Sequence, residues 1–303
     1  MAEEIPFRRE MQFEYGVPRE LAPGIQRLVA NNPGPFTYKG TNTYLLGQGR
    51  DILLMDPGPE DEAHFQAMMQ AIGTRRVTTI VVTHTHRDHV DGLPRILAAT
   101  GAKTAGYGRS TPDAGTRKTS ASGGEYVDQD FRPDIPLKDG DRIEVEGFAL
   151  TAVHTPGHAP DHLCFALDGS PTLFSGDHVM AWNTSVVAPP EGNMADYMRS
   201  LEKLTKRADT VYFPGHGGRV TQPQRVVKAF MVHRRMREDA ILDCIRQGRE
   251  TIAAIVEIVY RGLEPRLVNA ASLSVAAHVE HLVERGLVRS VGPVTRPERL
   301  SAV

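Results

Sequence analysis

A chain of 303 residues can bury one large core, or one core and a small appendage. Its 40 % hydrophobic and 24 % charged residues match globular averages, which excludes disordered and fibrous classes. The net charge of −2 is unevenly spread: residues 225–303 carry 13 Lys/Arg against 9 Asp/Glu (+4), and residues 1–224 carry 22 against 28 (−6), so charge alone does not make a nucleic-acid binder. No apolar run approaches the ~18 residues of a membrane span, and Met-Ala-Glu-Glu-Ile-Pro is neither a basic n-region nor an apolar h-region, so a cytoplasmic protein without membrane contact is expected. The only cysteines, Cys164 and Cys244, read as buried thiols in a reducing compartment.

In chain order, strand-like runs fall at Ile25–Val29, Thr43–Leu46, Ile52–Met55 and Val77–Thr83. Others follow at Lys103–Gly106, Arg142–Val145, Ala149–Val153, His162–Ala166, Thr172–Ser175 and Thr210–Phe213. Helical patterns lie between some of them, at about 61–72, 88–99 and 194–207. Short β runs mixed with isolated helices indicate an α+β fold with helix-flanked sheets. From Gln224 the texture changes to helical periodicity over about 223–247, 250–261 and 270–286, so a domain boundary is expected between 222 and 223. Residues 108–135 form a polar, Ser/Gly-rich stretch, read either as a plain surface insertion or as a lid that contacts substrate.

Chemistry concentrates at residues 83–92, Thr-His-Thr-His-Arg-Asp-His-Val-Asp-Gly. The preceding run is β-branched and apolar, as in a strand buried on both faces. A side-chain period of two sends His84 and His86 to the same side at its end, where both reach one ion. Asp88 stands where a helix begins, so Asp88 and His89 can turn toward a second ion. Two ions need further ligands. His158 follows the turn Thr155-Pro-Gly157, Asp177 ends Leu173-Phe-Ser-Gly176, and His216 ends Val211-Tyr-Phe-Pro-Gly215. Each repeats one grammar: an apolar run, a glycine that lets the backbone turn, then a ligand-type side chain. Imidazole and carboxylate donors suit Zn2+, two per chain, and the same set accepts Mn2+, Fe2+ or Co2+.

With Thr83–His89, Pro156–His158, Ser175–Asp177 and Gly215–His216 in this order, the chain resembles the metallo-β-lactamase-fold hydrolases. Asp56-Pro-Gly58 also matches, and Gly40-Thr-Asn-Thr-Tyr44, His162 after Pro-Gly-His-Ala-Pro-Asp and the helical tail bring it nearest the β-lactamase-like protein 2 group. The resemblance implies an αββα sandwich of two mixed sheets, with the metals at one edge, over residues 1–222. It also implies a small winged-helix-like domain over 223–303, three helices with a short wing near Leu287–Ser290. His84, His86 and His158 would hold one ion, Asp88, His89 and His216 the other, and Asp177 would bridge them. True metallo-β-lactamases often carry a cysteine on the second ion. Neither cysteine here stands in a ligand-like setting, so antibiotic hydrolysis is not expected.

The function expected is metal-dependent hydrolysis by a water that two ions share and ionise, with Asp88, His162 and Asp56 as catalytic residues. Asp56 would hydrogen-bond a ligand, and His162 would touch substrate or leaving group. Asn42 and Tyr44 are weaker candidates for orienting partners, and His154 and His178 read as structural. Three substrate readings stay open. A carboxylic ester, thioester or lactone leads. Single-stranded RNA is favoured by the +4 tail and disfavoured by the −6 main domain, though Arg87, Arg109, Arg117 and Lys118 could supply local positive charge. A metal-containing regulatory module without turnover is the third. The oligomeric state is left open, a homodimer included.

Overall fold

The structure is a computed structural model and describes residues 5–107 and 130–303. Seven strands form the first sheet, in the order β1 (Arg19–Ala22), β2 (Ile25–Val29), β3 (Asn42–Leu46), β4 (Asp51–Met55), β5 (Arg76–Val81), β6 (Lys103–Tyr107) and β7 (Ile135–Leu137). β1 to β4 pair antiparallel and β4 to β7 parallel. The second sheet runs β8 (Arg142–Val145), β9 (Phe148–His154), β10 (Leu163–Leu167), β11 (Thr172–Gly176), β12 (Val211–Pro214) and β13 (Val220–Thr221), mixed because β11 and β12 pair parallel.

Period-two alternation explains how the layers stack. In β4, Leu53 and Met55 enter a core shared with Leu163, Phe165 and Phe174 of the second sheet. Ile52 and Leu54 face the other way, onto Met68 and Ile72 of α1 (Glu62–Ile72) and Ile96 of α3 (Leu93–Thr100), α2 being Arg87–Val90. On the far side, Cys164, Ala166 and Leu173 pack on Tyr197 and Leu201 of α4 (Met194–Thr205) and on Val227 and Phe230 of α5 (Pro223–Arg246). The result is the expected αββα sandwich. Strands buried on both faces are apolar throughout, which is why their runs were visible in the sequence.

The last core joins Ile241 and Ile245 of α5, Ile255 of α6 (Ile252–Val259), Val275 and Val279 of α7 (Val268–Glu284), and Val288 and Leu300. Val288 and Leu300 belong to the hairpin β14 (Val288–Val291) and β15 (Arg299–Ala302), so the tail has three helices and a wing. Core membership changes within α5: its first half packs on the sandwich and its second half on the tail.

Two expectations need correction. The single helix expected over 88–99 is broken at Gly92, whose amide donates to Gly58 O at 2.9 Å and which packs against the carbonyls of Pro57, Gly58 and Pro59. The expected loop to 135 stops short of a strand, because Ile135–Leu137 pairs with β6 despite Pro136. Residues 108–129 of that loop, with Arg109, Arg117 and Lys118, lie outside the described residues. Both cysteines are buried free thiols. No helix among the described residues is long and apolar enough to cross a membrane.

Candidate metal centre

All seven metal-ligand candidates converge at one end of the sandwich. His84 and His86 lie just beyond the end of β5, Asp88 and His89 on α2, His158 after β9, Asp177 after β11 and His216 after β12. His84 Nε2 lies 2.8 Å from His86 Nδ1 and 3.3 Å from His158 Nε2. Beside them, His89 Nε2 and His216 Nε2 are 3.3 Å apart, and Asp88 Oδ2 stands 3.5 and 3.2 Å from them. Asp177 Oδ2 joins the two groups, 3.1 Å from His216 Nε2, 3.6 Å from His89 Nε2 and 3.8 Å from His158 Nε2.

Three ring nitrogens aimed at one point cannot all be satisfied by one another, whereas a cation at that point satisfies each lone pair. A tetrahedral ion with metal–nitrogen bonds of about 2.0–2.1 Å separates its ligand atoms by about 3.3–3.4 Å, close to the His84–His158 spacing. Asp177 Oδ1 is buried without a hydrogen-bond partner, a costly state for a carboxylate unless positive charge is near. The residues therefore fit a metal centre.

The outward nitrogens argue the same way. His84 Nδ1 lies 3.0 Å from Thr83 Oγ1, His89 Nδ1 2.9 Å from Asp56 Oδ2, His158 Nδ1 2.7 Å from Val186 O and His216 Nδ1 3.2 Å from Gly40 O. Each partner is an acceptor, so the proton sits on Nδ1 and the Nε2 lone pair faces inward. Asp56 is the hub of this outer layer. It also accepts from Thr83 N at 2.8 Å and Thr83 Oγ1 at 2.7 Å, and its φ of +51° turns the chain there.

Electrostatics divide the centre in two. Burial, reinforced by neighbouring rings, holds His84 well below its ordinary value and His86 at about 3, so these two rings are neutral. Burial would also lower His216, but Asp177 and Asp88 outweigh it and push the ring up to about 10. His89 is lifted in the same way against its burial, by Asp88, Asp177 and Asp56. Burial would raise the Asp177 carboxyl, and His216 and His89 instead hold it well below the carboxylate range. The two carboxylates thus favour positive charge at the second triad.

His162 is fully buried behind the centre. Its Nδ1 lies 2.9 Å from Thr155 Oγ1, and its Nε2 accepts from the Asp177 amide at 3.0 Å, so both nitrogens are engaged within the chain. Asn42 and Tyr44 sit further out. Asn42 Nδ2 donates to Pro214 O and Gly217 O at 2.8 and 2.9 Å, and Tyr44 OH donates to Pro214 O at 2.7 Å, which fixes the loop carrying His216. His154 stacks on Tyr107 and bonds Pro160 O, outside the centre, and His178 is buried against Tyr197. Sequence reading missed Thr83, Thr155 and Thr41, whose hydroxyl donates to Asp88 Oδ2 at 3.2 Å. Only Thr83 carried a signal, as a polar residue closing a buried strand.

Close approach is what the glycine at 215 permits. A Cβ there would stand 2.3 Å from Asp177 Oδ1 and 2.8 Å from His89 Cε1.

Residues 37–216 match the model of the Metallo-beta-lactamase superfamily, and residues 251–295 that of the Beta-lactamase associated winged helix domain. The chain is 32 % identical over 278 residues to the Beta-lactamase-like protein 2 homolog of Drosophila melanogaster, covering 89 % of this chain and 91 % of that protein. It is 28 % identical to the Atrochrysone carboxyl ACP thioesterase of Aspergillus chevalieri, covering 84 % of this chain and 79 % of that one. A metallo-beta-lactamase family protein from Thermus thermophilus superposes with a TM-score of 0.76 at 25 % identity, covering 94 % of this chain and all of that one. With its two mixed sheets and its cluster of histidines and aspartates at their edge, the chain belongs to the metallo-beta-lactamase superfamily and is a hydrolase of that fold.

Proposed function

We propose that the chain is a dinuclear zinc hydrolase of carboxylic thioesters, or of the related esters and lactones. His84, His86 and His158 would hold one ion, and Asp88, His89 and His216 the other, with Asp177 reaching both. Ions held there supply Lewis acidity to a substrate oxygen and lower the pKa of water from about 15.7 toward about 7. The observation that carries the reading is Asp177 Oδ2, a single oxygen within 3.8 Å of His158 Nε2 and 3.1 Å of His216 Nε2. Residues 1–222 would form the catalytic domain and 223–303 the winged-helix appendage.

The chain's own groups do the positioning. Asp56 keeps the His89 proton on Nδ1 and anchors Thr83, whose hydroxyl in turn accepts from His84. His162 acts through Asp177, holding its amide so that the carboxylate stays between the two triads. Asp88 is the one member of the seven with appreciable exposure, 27 % of its side chain, so its carboxylate is the one that solvent reaches.

A thioester is supported by relatives named as acyl-carrier thioesterases and by the −6 charge of residues 1–224, which repels a polyanion. The +4 tail favours the rival, single-stranded RNA. A turnover panel of acyl thioesters, lactones and labelled single-stranded RNA with zinc-loaded protein separates them. Thioester hydrolysis that chelation abolishes is the expected result. RNA cleavage that falls steeply with salt, without thioester turnover, would overturn the substrate assignment.

A further inference from the structure

The segment between β11 and α4 passes behind His158 and is fastened at several points. Ser185 Oγ and Tyr197 OH both donate to His178 O, at 2.8 and 2.9 Å. Val186 O receives the His158 Nδ1 proton at 2.7 Å. The neighbouring carbonyl, that of Ser185, receives a guanidinium hydrogen bond from Arg234. Arg234 comes from the middle of α5, is 4 % exposed, and lies over the Tyr197 ring with its guanidinium carbon 5.4 Å from the centroid.

Two consecutive carbonyls therefore face different tasks, one held by Arg234 and the other holding His158. Peptide units are planar, so only the φ and ψ of Val186 separate them. Val187 and Ser185 are buried on either side, which leaves those angles little freedom. A guanidinium is an expensive way to fill an interior, because its desolvation must be offset by hydrogen bonds and ring contacts. An aliphatic side chain of similar length would fill the volume without that cost. What it would not do is grip the Ser185 carbonyl.

We propose that Arg234 is a positioning residue for His158: by fixing the Ser185 carbonyl it sets the Val186 carbonyl, and through it the ring orientation and tautomer of His158. The inference rests on the reading of His158 as a metal ligand. It also gives the tail a part in the centre, since the helix that carries Arg234 continues into the tail's own core through Ile241 and Ile245.

The test uses the full-length chain, stripped of metal and titrated with Zn2+ against a chromophoric chelator, with a thermal melt of the metal-free form alongside. Wild type, Arg234→Met, Arg234→Lys and Ser185→Ala are compared, and His158→Ala identifies which binding step belongs to the His84, His86 and His158 triad. Arg234→Met should weaken that step on the order of 10-fold, the lower end of what a change in the layer behind a metal ligand costs, and leave the other step at its wild-type affinity. Arg234→Lys, which still offers a donor to the carbonyl, should recover most of the loss. Ser185→Ala, which frees the same segment from His178 O, should weaken the same step by less.

Wild-type affinity at both steps in Arg234→Met, with only a lower melting temperature, would overturn the proposal and leave Arg234 as packing. Should Arg234→Met fail to fold, wild-type affinity at that step in Ser185→Ala would overturn it equally. A wild-type chain that takes up no Zn2+ would remove the metal reading itself, an outcome separate from two normal binding steps that ignore Arg234.

Discussion

Asp56→Asn tests the outer layer with least disturbance. Asp56 has φ +51°, a left-handed conformation that asparagine adopts as readily as aspartate, so the substitution adds no backbone strain. The two side chains also have nearly the same volume, and the site is 2 % exposed, so packing is preserved. What changes is hydrogen bonding. Asp56 Oδ1 accepts from Thr83 N, and Oδ2 accepts from both Thr83 Oγ1 and His89 Nδ1. An amide cannot accept at both positions. With its NH2 at the Oδ2 position it meets two donors; Thr83 can rotate its hydroxyl away, but His89 must take the other tautomer and move its proton to Nε2. That removes the lone pair aimed at the second triad. With its NH2 at the Oδ1 position it leaves the Thr83 amide unsatisfied, at about 1–3 kcal/mol of stability.

Changes behind a metal ligand cost about 10–100-fold in affinity, or about 1.4–2.7 kcal/mol. Asp56→Asn should therefore weaken binding at the His89 and His216 step by that factor and spare the His84, His86 and His158 step. Stepwise zinc affinities from chelator competition, read beside the melting temperature of the metal-free protein, are the assay. Two wild-type binding steps would refute the tautomer argument, and a lower melting temperature alone would reduce Asp56 to a turn residue.

Asp177→Ala should weaken both binding steps by more than the ~100-fold upper bound for outer-layer changes, because its oxygen is within reach of both triads; loss at one step only would count against bridging. Gly215→Ala drives a methyl into Asp177 Oδ1 and should cost about 1–3 kcal/mol in thermal stability together with metal content, whereas a normal melt with full occupancy would show that the loop yields. The tail should be acid-labile. Burial holds His278 at about 4 against an ordinary 6.5, so the stability that its neutral ring allows is full above pH 6.5 and is lost as pH falls toward 4. Burial would raise Glu238, but His278 and His281 hold it at about 2, so its contribution is present above its ordinary 4.5 and is lost as pH falls through 2. Both act in one direction. Melting temperature should drop on acidification below pH 6.5, His278→Leu should flatten the upper part of that drop, and a profile already flat in wild type would refute the assignment.

How far the sequence could be read follows from which atoms carry the information. The sandwich was legible because strands such as Ile52–Met55, buried on both faces, must be apolar at every position. The segments that meet at the centre were legible because each ends a strand with a turn and then a histidine or aspartate, a pattern local to a few residues. The outer layer was not. His158 leans on a carbonyl 28 residues away and His216 on one 176 residues away, and a carbonyl is the same atom in every residue type. His162 shows the limit from the other side: its identity was plain, but whether its nitrogens face substrate or the Asp177 amide depends on a register set by β10 and β11.

The tail illustrates how such blind spots compound. A change in periodicity near residue 220 is real and coincides with the start of α5, yet a helix has one sequence texture along its length whichever cores it enters. Val227 and Phe230 pack on the sandwich, Ile241 and Ile245 pack on the tail, and Arg234 lies between them. A buried arginine in a helix of otherwise ordinary amphipathic pattern reads as a solvated charge until the partner carbonyl is seen. Once it is seen, the tail ceases to be an appendage that merely follows the sandwich, because the same rigid helix that seats it also reaches the segment behind His158.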